Sequence, residues 1–304
     1  MKSKKLILHV GLPKTGSSAL QTYLNQHRHA LNRFGFNYPA DEIDVAMPKH
    51  QSLVLGLFQN NHSQLLSFVE KNNSKNLILS TEGLTNHLYD FSLESLSRFR
   101  RVIESFDVTI YIVLRSSADW IKSYYTQAVL NPSVGVVDFY ATNMKLDEFS
   151  EHARIKKLLN KKQLVEDVKQ AYGANSVFIG DFEKQWFHDF CIKFELPFFA
   201  PALTRINISP SPSMIELMRQ INKYKLPENA RISWKATIQK YSQSKHTILK
   251  RSVVQSELND NTPLDITILE NIYPIDNGWF SLSQDEIDAF RCFVLPKSRY
   301  RNAN

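Results

Sequence analysis

Residues 6–24 read Leu-Ile-Leu-His-Val-Gly-Leu-Pro-Lys-Thr-Gly-Ser-Ser-Ala-Leu-Gln-Thr-Tyr-Leu, and this stretch predicts a strand, a loop and a helix in succession. Leu6–Val10 is an apolar run of the length of one buried strand. In Gly11–Gly16, two of six residues lack a Cβ, so backbone can approach a ligand closely. From Ser17 onward, Leu20, Tyr23, Leu24 and Leu31 recur at the spacing of a helix with one buried face. The first amides of such a helix have no partner within it, and its dipole favours negative charge. An anion is therefore expected at the loop–helix junction.

The usual nucleotide loop, G-x-x-x-x-G-K-[ST], is matched only in part. Gly11 and Gly16 have its spacing and Ser18 supplies its hydroxyl, but Ser17 stands in the lysine position and a lysine lies inside the loop at Lys14. A γ-phosphate of ATP would lack its usual cation there, whereas a group on a 5′-phosphate could meet Lys14 from the other side. Pro13-Lys14-Thr15-Gly16-Ser17-Ser18 resembles the 5′-phosphosulfate loop of sulfotransferases that use 3′-phosphoadenosine 5′-phosphosulfate (PAPS). The alternative reading is an ordinary strand–turn–helix corner with a surface lysine.

Around this stretch, the pattern predicts a helix at Leu65–Val69 and a strand at Asn76–Ser80. A helix follows over Phe91–Ser105, then a strand at Val108–Leu114 that is apolar on both faces, as central parallel strands are. Residues 41–60 read as irregular, with Pro48 excluding a helix interior. A helix is expected from Ser116-Ser117-Ala118-Asp119 through Trp120, Ile121, Tyr124 and Tyr125, a loop over 131–147, and a basic helix or helix pair over 148–172. A fourth strand at Ser176–Gly180 precedes a helix carrying Trp186, Phe187 and Phe190. Alternating strands and helices argue for an α/β fold, a P-loop-type parallel sheet flanked by helices. Beyond Pro201 the strand signal fades, leaving a helix at Ser209–Tyr224 and a mainly helical remainder. We expect one domain over 1–304, with a core of about 5–225 and a helical cap over about 226–304, and find no internal repeat or low-complexity tract.

Arg115 directly follows the strongest strand, at the carboxyl end where ligands bind in open α/β sheets. Ser123 comes eight residues later, two turns into the next helix. Arginine offers a planar fork for phosphate oxygens and serine a hydroxyl donor. Arg-x7-Ser after an apolar strand resembles the 3′-phosphate motif of the same sulfotransferases. Either residue taken alone also reads as surface charge or ordinary helix. Ile78–Gly83, Phe178–Glu183, Asp189–Pro197 and Arg205–Ser209 add weaker similarity, the last to the bacterial carbohydrate branch, so the resemblance spans roughly residues 5–225.

The resemblance implies in-line transfer of a sulfuryl group from PAPS to a hydroxyl or amine of a carbohydrate or other small acceptor, without a metal. Lys14 and the amides of Thr15, Gly16, Ser17 and Ser18 would stabilise charge on the leaving phosphate. Arg115 and Ser123 would hold the 3′-phosphate. Glu82 is the first candidate for the base, its pKa raised by partial burial; capping or ion pairing is the competing role. His50 is the second candidate, facing the cleft from a loop, while His9 belongs to the core of the first strand. Arg154, Lys156, Lys157, Lys161 and Lys162 form either a solvated helix face or a track for an anionic glycan. Tyr124 and Tyr125 are expected to divide between core and cleft. A nucleotide-dependent kinase and a non-catalytic nucleotide- or polyanion-binding module are the rival functions.

The net charge of +7 suits an anionic partner without identifying it. Two distant cysteines, Cys191 and Cys292, read as reduced core thiols. The short basic start lacks the apolar length and cleavage pattern of a signal peptide, and no run approaches a membrane helix, so a cytoplasmic protein is expected.

Overall fold

The computed structural model describes residues 4–41, 48–72, 76–132, 140–197, 210–224, 226–246, 264–272, 275–276 and 281–294. Five strands, β1 (Lys4–Gly11), β2 (Phe36–Asn37), β3 (Asn76–Ser80), β4 (Phe106–Leu114) and β5 (Ser176–Asp181), pair in the order β2-β3-β1-β4-β5. Every pairing is parallel, so all five carboxyl ends lie along one edge. The chain leaves β1 toward the β2 side and leaves β4 toward the β5 side. Divergent exits from neighbouring strands open a crevice between their ends, the place where open α/β sheets bind ligands.

Both faces of the sheet are buried over Leu6–Val10 of β1 and Val108–Val113 of β4, which is why these stretches read as apolar runs broken only by His9 and Thr109. On one face Ile7, Ile78, Tyr111 and Val113 pack with Leu20, Tyr23 and Leu24 of α1 (Ser17–Gln26), Leu31 of α2 (Arg28–Arg33), and Trp186, Phe187 and Phe190 of α11 (Trp186–Lys193). The pleat sends Leu6, Leu8, Leu77, Leu79, Ile110 and Ile112, all buried, to the other face. Contacts there include α10 (Lys161–Tyr172) against β4 and against α6 (Leu93–Ile103). Ser92 caps α6 by accepting from the Ser95 amide, and Leu96, Phe99 and Ile103 form its buried stripe.

The described residues fall into two compact units, one from Met1–Ile121 and Ser150–Leu203, the other from Lys122–Phe149 and Thr204–Asn304. The helix α7 (Ser117–Leu130) runs from the first into the second. The second unit also holds α12 (Pro212–Ile221), α13 (Glu228–His246), a 3-10 turn at Ile266–Asn271, an antiparallel pair of β6 (Ile275–Asp276) with β7 (Ser281–Leu282), and α14 (Gln284–Val294). Its core includes Tyr124, Tyr125, Phe149, Met218, Trp234 and Phe290. Within it Arg219 and Glu216 form a buried pair with N–O distances of 2.6 and 2.8 Å, and Arg219 also donates to the Asn143 carbonyl. No described helix is long and apolar enough to cross a membrane.

Several expectations need correction. The stretch 41–60 is not irregular throughout, because α3 (Gln51–Gln59) starts three residues after Pro48, outside the reach of its missing N–H. The pattern predicts no strand at Phe36–Asn37, where β2 is too short at two residues to show a period. In α4 (Ser63–Glu70), Leu65 and Phe68 face inward while Leu66 is exposed. The stretch 148–172 is shared by three helices, α8 (Leu146–Glu151), α9 (Ala153–Leu159) and α10. Tyr124 and Tyr125 are both core residues, packed tilted and edge-on against Phe149, with the Tyr125 hydroxyl donating to the Met144 carbonyl at 2.8 Å. Cys191 is buried but Cys292 is exposed. Arg205–Ser209 lies outside the described residues.

Candidate functional site

The Gly11–Ser18 loop leaves the centre of the sheet and is fixed by its own backbone. The Leu12 amide donates to the Val113 carbonyl of β4 at 3.1 Å, and the Thr15 hydroxyl donates back to the Leu12 carbonyl at 2.6 Å. The Trp120 indole donates to the Pro13 carbonyl at 2.9 Å, tying the first turn of α7 to the same loop. Gly11 and Gly16 take positive φ values of 99° and 83°, which side chains rarely adopt. A Cβ on Gly16 would come 2.8 Å from the Trp186 ring, and one on Gly11 would come 2.9 Å from the Glu82 Cβ. The two glycines are thus required by space as well as by dihedral angle.

Gly16 is the N-cap of α1 and provides no side-chain cap, and the first turn, Ser17-Ser18-Ala19, contains no acid. Elsewhere in the same unit, Ser92 and Asn160 cap α6 and α10 with side-chain oxygens. The positive end of the α1 dipole therefore lacks a side-chain anion or capping oxygen of its own. Lys14 (φ 65°) and Gly16 are half-buried, Ser18 is exposed, and Thr15 and Ser17 are buried. Of the loop hydroxyls, Ser18 is the one that faces solvent, whereas the buried Ser17 hydroxyl donates to the Leu12 carbonyl at 3.4 Å.

Arg115 stands beside this loop. Its guanidinium lies 4.8 Å from the centre of the Phe182 ring, and the same ring would come 3.5 Å from a Cβ on Gly16. The side chain is about one-quarter exposed, with Nε 3.6 Å from Glu183 Oε1. At that separation there is an ion pair but no hydrogen bond, and the buried Nε has no hydrogen-bond partner among the described residues. Behind it, Ser116 caps α7, accepting from the Asp119 amide and donating to the Asp119 carboxylate at 2.6 Å. Ser123 lies further along α7, half-buried, on the part that belongs to the second unit.

Glu82 follows β3 and sits against Gly11, with its side chain 27% exposed. Its Oε2 accepts from Gln21 Nε2 at 3.0 Å, and its Oε1 lies 3.6 Å from Lys49 Nζ. Burial alone would raise its pKa, as the sequence suggested. The Lys49 charge, the Gln21 amide and a backbone hydrogen bond outweigh burial and hold the pKa below the ordinary carboxylate value. This corrects the expected direction: Glu82 is ionised at neutral pH.

His50 does not face a cleft. It is 1% exposed, and its Nδ1 accepts from the Ser80 amide at 3.0 Å. That bond fixes the other tautomer, so Nε2 donates to the Pro39 carbonyl at 3.0 Å. Burial drives its pKa down to about 4, so the ring is neutral and locked between two backbone groups. His50 pins the start of α3 to the end of β3 and has no lone pair left for an acceptor's proton. His9 is a core residue, as expected, with Nδ1 2.7 Å from Ser80 Oγ.

The basic cluster is divided. Arg154 pairs with Asp90 and donates to the Asn86 carbonyl at 3.2 Å, while Lys157 lies 4.7 Å from the centre of the Tyr89 ring. Lys156 pairs with Glu151 in solvent, at 2.6 Å. Three of the five cations are thus engaged locally. Sequence reasoning missed Gln21, Lys49 and Ser80, whose roles arise from neighbours 30 to 71 positions away. Among the described residues no group of three or more His, Cys, Asp or Glu side chains is arranged to hold a metal ion. The sequence matches no protein-family model and no curated protein.

Proposed function

We propose that this chain is a sulfotransferase that moves a sulfuryl group from PAPS to a hydroxyl or amine of a carbohydrate or other small acceptor. One observation carries the reading. The uncapped α1 terminus, a cation with an unsatisfied Nε at Arg115, and an ionised carboxylate at Glu82 all border one loop at the ends of β1, β3 and β4. Two separate anion-seeking features and one base suit a donor with two phosphates and an acceptor with a proton to lose.

When bound, the donor supplies an activated sulfuryl group on a phosphate leaving group. The amides of Thr15–Ser18 and the α1 dipole face that phosphate, and Lys14 answers the charge that grows on it. Arg115 offers its fork to the second phosphate, at the ribose 3′ position, and so favours this nucleotide over ATP. Glu82, ionised, takes the proton of the attacking group through Oε1, since Oε2 is already held by Gln21.

Isothermal titration of the full chain tests the reading. Adenosine 3′,5′-bisphosphate should bind tightly without magnesium, and ATP should bind weakly with or without it. A preference for ATP–magnesium would mean a kinase. Bisphosphate binding with no sulfuryl transfer to any of a panel of saccharide acceptors would mean a non-catalytic module.

A further inference from the structure

Beneath Glu82 lies a polar array that the reaction outlined above does not use. Gln21 is 2% exposed on the second turn of α1, which is seated by Leu20, Tyr23 and Leu24. Its amide nitrogen has two hydrogens and two acceptors, Glu82 Oε2 at 3.0 Å and Ser80 Oγ at 3.2 Å. Ser80 ends β3, is fully buried, and meets His9 Nδ1 of β1 at 2.7 Å. The His9 ring is wholly buried, and its Nε2 has no hydrogen-bond partner among the described residues. An unsatisfied buried nitrogen costs on the order of 1–3 kcal/mol, so this array is not simply the cheapest core.

We propose that Gln21, held by Ser80 and His9, is a positioning residue that fixes the Glu82 carboxylate for proton abstraction; this rests on the transferase reading above. With both hydrogens engaged, the Gln21 amide has one orientation, and the carboxylate oxygen it binds is committed. The other oxygen, toward Lys49, is left for the acceptor's proton. Lys49 cannot set this geometry, because at 3.6 Å and part exposed it makes a screened ion pair. Glutamine donates without adding charge, whereas a lysine at the same place would compete for the carboxylate. The titratable groups around Glu82 are Lys49, the His9 ring of β1, and the Tyr38 phenol beyond Ser80.

Gln21→Met keeps the volume and removes the donor. In the full chain, the carbon-13 titration of the Glu82 carboxyl should move upward by on the order of one pH unit, because a hydrogen bond to its charged form is lost. kcat should fall about tenfold or more, with donor KM and bisphosphate affinity within about twofold, since only orientation at the reacting centre changes. Ser80→Ala, which frees one Gln21 hydrogen, should shift both readouts the same way by less and guards against a folding failure in the first variant. An unmoved titration midpoint in both variants overturns the proposal, as does an unmoved kcat in an active enzyme. If the midpoint moves but the wild-type chain transfers no sulfuryl group, the transferase reading fails while Gln21 still holds Glu82.

Discussion

Two sides of one crevice differ in how their polar groups are satisfied. On the Lys14–Arg115 side, a helix begins without a side-chain cap and a buried guanidinium nitrogen has no hydrogen-bond partner among the described residues. On the Glu82 side, each carboxylate oxygen faces a partner, and His50 is bonded at both nitrogens. The first side offers an uncapped helix start and a cation, and the second a preassembled framework. Under the proposed transferase reading, such a site would bind through the unsatisfied half and do its chemistry from the rigid half, because an oriented base loses little entropy when the acceptor arrives.

The contrast can be broken by experiment. Lys14→Ala should lower sulfuryl transfer by about 10³-fold, the loss typical of removing one group that stabilises developing charge. The variant should keep its circular dichroism spectrum and melting temperature. Retained turnover would separate the loop from catalysis.

The rigid half should reveal itself in stability. Burial lowers the pKa of His9 and His50 to about 4, against about 6.5 unfolded. Between these values the unfolded chain binds more protons, so stability is full above pH 6.5 and declines as pH falls toward 4. Each histidine contributes roughly 3 kcal/mol at most over that window. Glu82, with its depressed pKa, adds loss in the same direction at the acid end. Urea unfolding measured from pH 4.5 to 7.5 should show this slope, and His50→Gln should flatten it by about one proton. A flat wild-type profile would mean that the histidines are not buried as described.

Arg115→Ala should weaken adenosine 3′,5′-bisphosphate binding by about 10- to 100-fold, the range of one charge-assisted contact, and leave adenosine 5′-phosphate binding nearly unchanged. Equal losses for both nucleotides would assign Arg115 to the 5′ side. Lys49→Met should have the smallest effect on turnover. It should raise the carboxyl titration, because the Lys49 charge is first among the groups holding the Glu82 pKa down, yet leave kcat within about twofold, because the Gln21 bond still orients Oε2. A kcat loss as large as that of Gln21→Met would make Lys49 a partner in the orientation.

Legibility divided along the same line. The loop was readable because its signal is local: an apolar run, glycines at fixed spacing and an amphipathic helix within 19 residues. Arg115 was readable because it abuts a strand with no polar interruption at its end. Glu82 was placed correctly after β3, but its proton affinity was misjudged because Lys49 and Gln21 approach from other elements. His50 looked like a loop histidine because nothing near it in the chain shows that Ser80 and Pro39 supply its partners. The structure also joins the Phe182 ring to both Gly16 and Arg115, a link between residues 166 and 67 positions apart that no periodicity reveals.

From sequence alone came the four longer strands, β1, β3, β4 and β5, in their chain order, the α/β class and the glycine loop, since short-range sterics and hydrophobic period fix these within a few turns of chain. Tertiary structure decided which strands are neighbours, which histidine is locked, which way the Glu82 carboxyl titrates and which amide orients it. Those properties depend on desolvation and on partners brought in by sheet pairing, and both exist only once the chain has folded.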